Sequence, residues 1–454
     1  MLGDTLFIWW ENWLRRTFSS LSTTLTERDW PRWVLIVFGA AASIGVIIAH
    51  VVETDQPFDM MVYRAGVQRF FEGGEVYSEP MHVGGIDLPF IYPPFGALIM
   101  APLASRSISD DMAGNIMIVL SNLLILLCFY FIARAVLNQH SKLTHLAVTV
   151  GLWPLLLLTE PVRLNNGFAQ INIVLMALVV LDLVPRKRYL PQGWLIGIAA
   201  AIKVTPLAML LYFLLRKDIK AILTAFVSLL AATALAAVVR WDMTKEFFGS
   251  KLLGMGAGED FGVGTDYQSN SSIQGVLTRV FTSQDAAQNA EDPTKLIWLL
   301  CALATIVVGS WIMNGLLRRG MDVDAWLIGS MVMLLISPVS WSHHWVWLAF
   351  ILPVFLYRAW QLRTTSWFGG IYTAVVALWS VLVLTVPPKW WFGDHIDVYT
   401  QNWYAKFLVN DFVWLAALLW FCVAVSLFFF PEHTHRREAT TATTEPANAT
   451  TASA

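Results

Sequence analysis

Long apolar runs alternate with short polar breaks from Trp33 to Phe430. The runs predict membrane-spanning helices at Trp33–Val52, Met112–Leu137, Leu143–Thr159, Phe168–Val184, Leu190–Ile202, Val204–Leu215, Ile219–Val239, Lys295–Leu317, Ala325–Val339, Trp345–Tyr357, Gly369–Val386 and Phe412–Phe430. That makes about twelve crossings, several of them shorter than the ~20 residues that span a bilayer. Phe90–Ala104 is also apolar, but Tyr92-Pro93-Pro94 at its start breaks a helix, so a re-entrant or interfacial segment is expected there. Residues 1–32 precede the first run and are too mixed in charge for a secretory signal. TLFIWWENWLRRTF within them predicts an interfacial helix. Residues 33–430 form the transmembrane domain, and the Thr- and Ala-rich residues 431–454 predict a disordered tail.

Basic residues set an expected orientation. Arg15/Arg16, Arg28/Arg32, Lys142, Arg186/Lys187/Arg188, Arg216/Lys217/Lys220, Arg318/Arg319, Arg358/Arg363 and Arg436/Arg437 mark one side, cytoplasmic by the positive-inside rule. Both termini then lie inside. The loops at 53–111, 160–167, 240–294, 340–344 and 387–411 lie outside, together with the turn at Lys203 and nearly all the unusual polar residues.

Composition agrees with this pattern. Of 454 residues, 57% are hydrophobic and 14% charged, too apolar for a soluble core. The net charge of −2 gives no reason to expect nucleic acid as a partner. Cys128, Cys301 and Cys422 stand alone in apolar runs and predict neither disulfide nor metal cluster. Many of the 22 tryptophans flank apolar runs and read as an interfacial belt: Trp153, Trp194, Trp241, Trp341, Trp345, Trp390, Trp391 and Trp403.

The candidate chemistry sits in the outer loops. Asp55 reads as an N-cap, with Asp59 and Tyr63 on one face of the helix it opens and Arg64 beside them. Asp59 fits a general base that takes a proton from an attacking hydroxyl. The plainer reading is an acid favoured by the helix dipole. Between two spans lie Glu160, Arg163, Asn165 and Asn166, followed by Gln170 and Asn172, amides that suit sugar hydroxyls or helix-to-helix bonds. Lys203 interrupts an apolar run, either to hold a lipid phosphate or to snorkel outward. His343 and His344 lie between two apolar runs and suit a leaving phosphate better than zinc, which lacks further ligands nearby. Asn270 and Gln274 are candidates for lining a sugar pocket beneath a short predicted helix at Ser272–Phe281. Two acid pairs resemble metal motifs. Asp322 and Asp324 read as a solvated cytoplasmic loop, and Asp394 and Asp397 lie on the outer side, where a cation could bind.

The ordered set Asp59, Tyr63, Tyr92-Pro93-Pro94, Glu160-Pro161, Asn165, Gly167, Gln170, Asn172, Lys203, Pro206, Asn270-Ser271, Ser337-Pro338 and His343-His344 resembles actinobacterial membrane mannosyltransferases that use polyprenyl-phosphate-mannose. The resemblance extends over roughly Val51 to Phe430, nearest to the α-(1→2) enzymes of phosphatidylinositol mannosides and lipomannan. It implies an all-α polytopic fold of the glycosyltransferase C superfamily, an extracytoplasmic site at the plasma membrane and no metal or other cofactor. It implies a polyprenyl-phosphate-mannose donor and a glycolipid acceptor. By position it makes Asp59 the base and His343 or His344 the phosphate holder; the cations Lys203 and Arg163 are expected beside that phosphate by their charge. On the chemistry of the residues themselves, Tyr63, Arg64, Glu160, Asn165, Gln170, Asn172 and Asn270 are expected sugar or acceptor contacts, and Tyr92, Pro93, Pro94 and Phe95 a groove for the lipid tail. Other readings are a polyprenyl-phosphate-arabinose arabinosyltransferase and a lipid-linked sugar flippase or transporter.

Overall fold

A computed structural model describes residues 29–254, 263–363 and 366–430. The predicted N-terminal interfacial helix, most of the Gly-rich stretch before Gly264 and the C-terminal tail lie outside those residues. The regular structure of the described residues is helical apart from one small hairpin, Met81–Val83 paired antiparallel with Ile86–Leu88.

Every predicted span contains a helix, but helix length does not establish twelve crossings. Among the described residues, six helical stretches are long and apolar enough to cross a bilayer: Trp30–Glu53, Asp110–Val136, Ile219–Val239, Glu291–Arg318, Ser342–Arg363 and Trp367–Trp390. Two bent pairs bring the number to at most eight: Lys142–Leu158 with Glu160–Gly167, and Trp403–Val409 with Asp411–Ser426. The remaining runs form shorter helices, such as Asn172–Leu183 and Trp194–Ile202. At 1.5 Å per residue these reach roughly 13–18 Å, about half the ~30 Å hydrocarbon thickness. They are buried by other helices, so they need not match the bilayer.

The long helices carry the apolar exterior. Val37 and Phe38 on Trp30–Glu53 and Val238 on Ile219–Val239 are exposed, as lipid-facing side chains are. Asp322–Ile336 is buried on nearly every side. The chain is thus a multi-pass membrane protein with a protein-filled centre. Close approach inside it depends on small residues. Trp194–Ile202 packs on Ile219–Val239, and a Cβ at Gly197 would lie 1.9 Å from Ser228 Oγ and 2.1 Å from the Ala225 carbonyl.

Two expectations are corrected here. Asp322 and Asp324 are not in a solvated loop; they occupy the first turn of Asp322–Ile336. Asp324 is fully buried and accepts from Arg358 Nε and Nη2 at 2.8 and 3.0 Å, while Asp322 accepts from Arg216 and Tyr212. Distant arginines, invisible to local pattern, neutralise both. Trp345 is not interfacial: it is fully buried against Trp379 and Phe412.

Candidate active site

A cavity of about 930 Å³ gathers Asp59, Tyr63, Tyr92, Glu160, Arg163, Gln170, Lys203, His343 and His344 on its wall. Asp59 reaches it from the helix Phe58–Glu72. Pro57 precedes that helix, and Gly73, at φ +83°, ends it by donating to the Arg69 carbonyl. Asp55 lies outside the helix; Pro57 holds the N-cap position, without a side-chain bond. Met60, Val67 and Phe70 anchor the helix in the core. Asp59 and Tyr63, four residues apart, both face the cavity.

The floor beside Asp59 is a hydrogen-bonded triad. Tyr63 Oη donates to Gln170 Oε1 at 2.6 Å and lies 2.8 Å from Tyr92 Oη. Gln170 is presented by a bend in the chain. Helix Lys142–Leu158 stops at Thr159, and Pro161 starts a new helix turned by 67°. After Gly167 the chain turns through Ala169, a non-glycine residue at φ +51°, and Gln170 N bonds the Asn165 carbonyl at 2.9 Å. Asn165 Nδ2 holds the Gln170 carbonyl from within. Burial away from water pushes the Asp59 carboxyl up to about 6, against the opposing pull of a Gln170 hydrogen bond and the Lys203 charge.

Lys203 stands where helix Trp194–Ile202 ends in extended backbone. Its ammonium donates to Asn172 Oδ1 at 3.1 Å, contacts His344 Nε2 at 3.3 Å and sits 5.7 Å from the centre of the Tyr92 ring. For Nε2 to accept from an ammonium, His344 must be neutral with its proton on Nδ1. His343 is perpendicular to His344, with ring centres 4.8 Å apart, and meets Phe168 edge-on. Its Nε2 has no partner among the described residues. Arg163 is exposed to the cavity, and its guanidinium makes no hydrogen bond or ion pair among the described residues. Lys203 and Arg163 put two cations on the cavity wall, which suits it to a phosphate.

Glu160 lies in the same cavity and is almost fully buried. It accepts from Ser342 Oγ at 2.7 and 2.8 Å and from Trp390 Nε1 at 2.7 Å. Behind it, Lys389 is wholly buried, paired with Asp411 at 3.1 Å and bonded to Ser271 Oγ at 2.6 Å. Lys389, Asp411 and Ser342 were not among the sequence candidates. A lysine in Val386-Pro387-Pro388-Lys389-Trp390 is as conspicuous as Lys203, but proximity to a tryptophan belt masked it.

Other candidates fall off the cavity wall. Arg64 turns away to Asp110 and to the Leu103 and Ile108 carbonyls. Asn270 is fully buried: its amide donates to the Thr265 and Pro338 carbonyls, and Oδ1 accepts from Ser272 N and Ser340 N. It clamps two loops together. Asn165 supports Gln170 and does not line the cavity. Asn172 meets Lys203 in a smaller adjoining pocket. Tyr92 and Pro93 line the main cavity; Pro94 and Phe95 are buried behind them. The predicted helix after Ser272 is present as Ile273–Thr278, capped by Ser272 Oγ. Asp394 accepts from Tyr267 Oη and Asp397 accepts from Tyr399 N.

Residues 90–338, more than half of the chain, match the profile of glycosyltransferase family 87. A polyprenol-phosphate-mannose-dependent alpha-(1-2)-phosphatidylinositol mannoside mannosyltransferase of Mycolicibacterium smegmatis is 32% identical, over 79% of this chain and 81% of that protein. A protein of the same description from Mycobacterium tuberculosis is 28% identical, over 85% of this chain and 88% of its own. Among solved structures, ArnT from Cupriavidus metallidurans bound to undecaprenyl phosphate covers 87% of this chain and 76% of its own, with 15% identity and a TM-score of 0.36.

Proposed function

The chain belongs to glycosyltransferase family 87, and on that premise we propose that it transfers mannose from a polyprenyl-phosphate carrier to a phosphatidylinositol mannoside. The new linkage is α-(1→2), formed with inversion at the outer face of the plasma membrane, with both termini in the cytoplasm. Membership of a transferase family argues against the transporter reading. The names of the relatives support this donor and acceptor. The basic residues between the apolar runs support the orientation.

One observation carries the mechanism: a carboxyl that can take up a proton shares a single cavity with a lysine–histidine cluster. The donor phosphate is held by Lys203, His344 and Arg163, with His343 beside them. The lipid tail leaves along the apolar wall of Tyr92, Pro93, Ile91 and Leu88. An acceptor hydroxyl faces Asp59. As the bond from the anomeric carbon to the phosphate oxygen breaks, the bond to the acceptor oxygen forms on the opposite face, through an oxocarbenium-like state. The hydroxyl proton passes to Asp59, and the electron pair leaves with the phosphate. Negative charge grows on that phosphate, where the Lys203 ammonium stabilises it. No step calls for a metal.

The test is purified protein given labelled polyprenyl-phosphate-mannose and phosphatidylinositol mannosides, with linkage analysis of the product. An α-(1→2)-mannosylated lipid, formed equally well in EDTA, is expected. Transfer from polyprenyl-phosphate-arabinose in place of mannose, or a chelator-sensitive rate, would overturn the assignment.

A further inference from the structure

The end of the cavity formed by Tyr267, Trp341, Trp390, Asp394 and His395 has no part in the chemistry above. Tyr267 and His395 stack with ring centres 4.7 Å apart and planes 15° from parallel. Trp341 and Trp390 stand 6.0 and 6.3 Å from Tyr267. Tyr267 Oη donates to Asp394 Oδ1 at 2.6 Å, and Trp390 Nε1 donates to Glu160.

We propose that this aromatic wall is a subsite for the acceptor glycan, seating a sugar ring next to the one that reacts. The inference rests on the transferase reading above and adds where the acceptor is recognised. Aromatic faces offer apolar area to the C–H face of a pyranose, and fixed carboxylates accept from its hydroxyls. Asp394 sets a fixed hydrogen-bond acceptor at this end, whereas the Lys203–His344 contact that suits a phosphate lies elsewhere on the wall, beside Asn172.

The wall is built in advance. Gln268, fully buried beside Tyr267, donates to the Lys389 carbonyl at 3.2 Å and the Gly393 carbonyl at 2.5 Å, and accepts from Ile396 N at 2.9 Å. These bonds bracket His395, which is held at φ +50°, a strained backbone for a residue other than glycine. Such outliers persist where the surroundings over-determine them, and ligand clamps are one place they gather. The outcome is an exposed imidazole fixed over a tyrosine ring.

The test compares acceptors with one and with two mannosyl units, using Tyr267→Ala, Tyr267→Phe and His395→Asn. Asparagine tolerates the left-handed backbone and removes the ring. Because His395 is exposed, this variant keeps the test open if Tyr267→Ala does not fold. In Tyr267→Ala, kcat/KM for the two-mannose acceptor should fall ten- to a hundredfold, with less than a threefold change for the one-mannose acceptor or in the donor KM. His395→Asn should lose several-fold in the same direction, and Tyr267→Phe less. Equal losses on both acceptors, or a raised donor KM, would overturn the subsite. Saturation-transfer NMR of α-linked mannobiose on the protein in nanodiscs reads binding without turnover. Signal in the wild type that disappears in the variants supports the subsite; no wild-type signal, or signal that persists in the variants, refutes it. Wild-type binding without mannosyl transfer would leave the subsite standing and remove the proposed reaction.

Discussion

Replacing Asp59 with asparagine should push activity and stability in opposite directions. The carboxyl is raised from 3.8 to about 6, a difference of roughly two pH units, equivalent to about 3 kcal/mol at 1.36 kcal/mol per unit. Because the folded state binds this proton more tightly than the unfolded chain does, stability is lost as pH rises from 3.8 through 6. Above that range the wild type carries the full cost of an ionised, desolvated carboxylate. The amide of Asp59→Asn carries no such charge, so the variant should be more stable at pH 7.5 by up to about 3 kcal/mol, less whatever cavity water screens. The gain should fade as pH approaches 4. Turnover should fall by about 10²–10⁴, the usual contribution of a positioned base. The wild-type rate itself should drop below pH 6 with unit slope, since roughly a tenth of the carboxyl is ionised at pH 5. Thermal melts in detergent across pH, with transfer rates on the same preparations, read both effects. A variant that melts lower than wild type and keeps turnover within tenfold would make Asp59 a structural acid and refute the reasoning.

Lys203→Met should weaken binding of polyprenyl phosphate by about 10- to 100-fold, the worth of a charge-assisted contact; competition against labelled donor measures it, and unchanged affinity would remove the lysine from the phosphate site. Gly197→Ala puts a methyl against Ser228 and the Ala225 carbonyl and should cost about 1–3 kcal/mol by overpacking. Gly370→Ala, with nothing within 4 Å, should be neutral or stabilising by up to about 1 kcal/mol, and parallel melts separate the two. Lys389→Met leaves Asp411 buried without its partner and should destabilise by about 3–5 kcal/mol. Adding Asp411→Leu should recover much of the loss, and failure of that rescue would show that the pair does not act as a unit.

The sequence revealed what depends on neighbours along the chain. Apolar runs located the helices, and the four-residue spacing of Asp59 and Tyr63 put both on one face. Lys203 was conspicuous because a cation in an apolar run is costly. Properties that depend on distant partners were hidden. Gln170 meets Tyr63 across 107 positions, and Asp324 meets Arg358 across 34. Asn270 looked like a sugar ligand because its amide had no visible partner, yet Thr265, Pro338, Ser272 and Ser340 satisfy it. The number of crossings was not fixed for a related reason: hydropathy reports apolar surroundings and does not say whether lipid or protein supplies them.

The Lys389–Asp411 pair also bears on how the protein is made. Asp59 emerges from the ribosome early, whereas Asp411, which holds Lys389 beneath Glu160 and Ser342, opens the final described helix. An incomplete chain would therefore leave the buried Lys389 ammonium without its direct ion-pair partner where the wall should close. Closure of this part of the wall awaits the last described helix, and a chain cut before Asp411 should lack it.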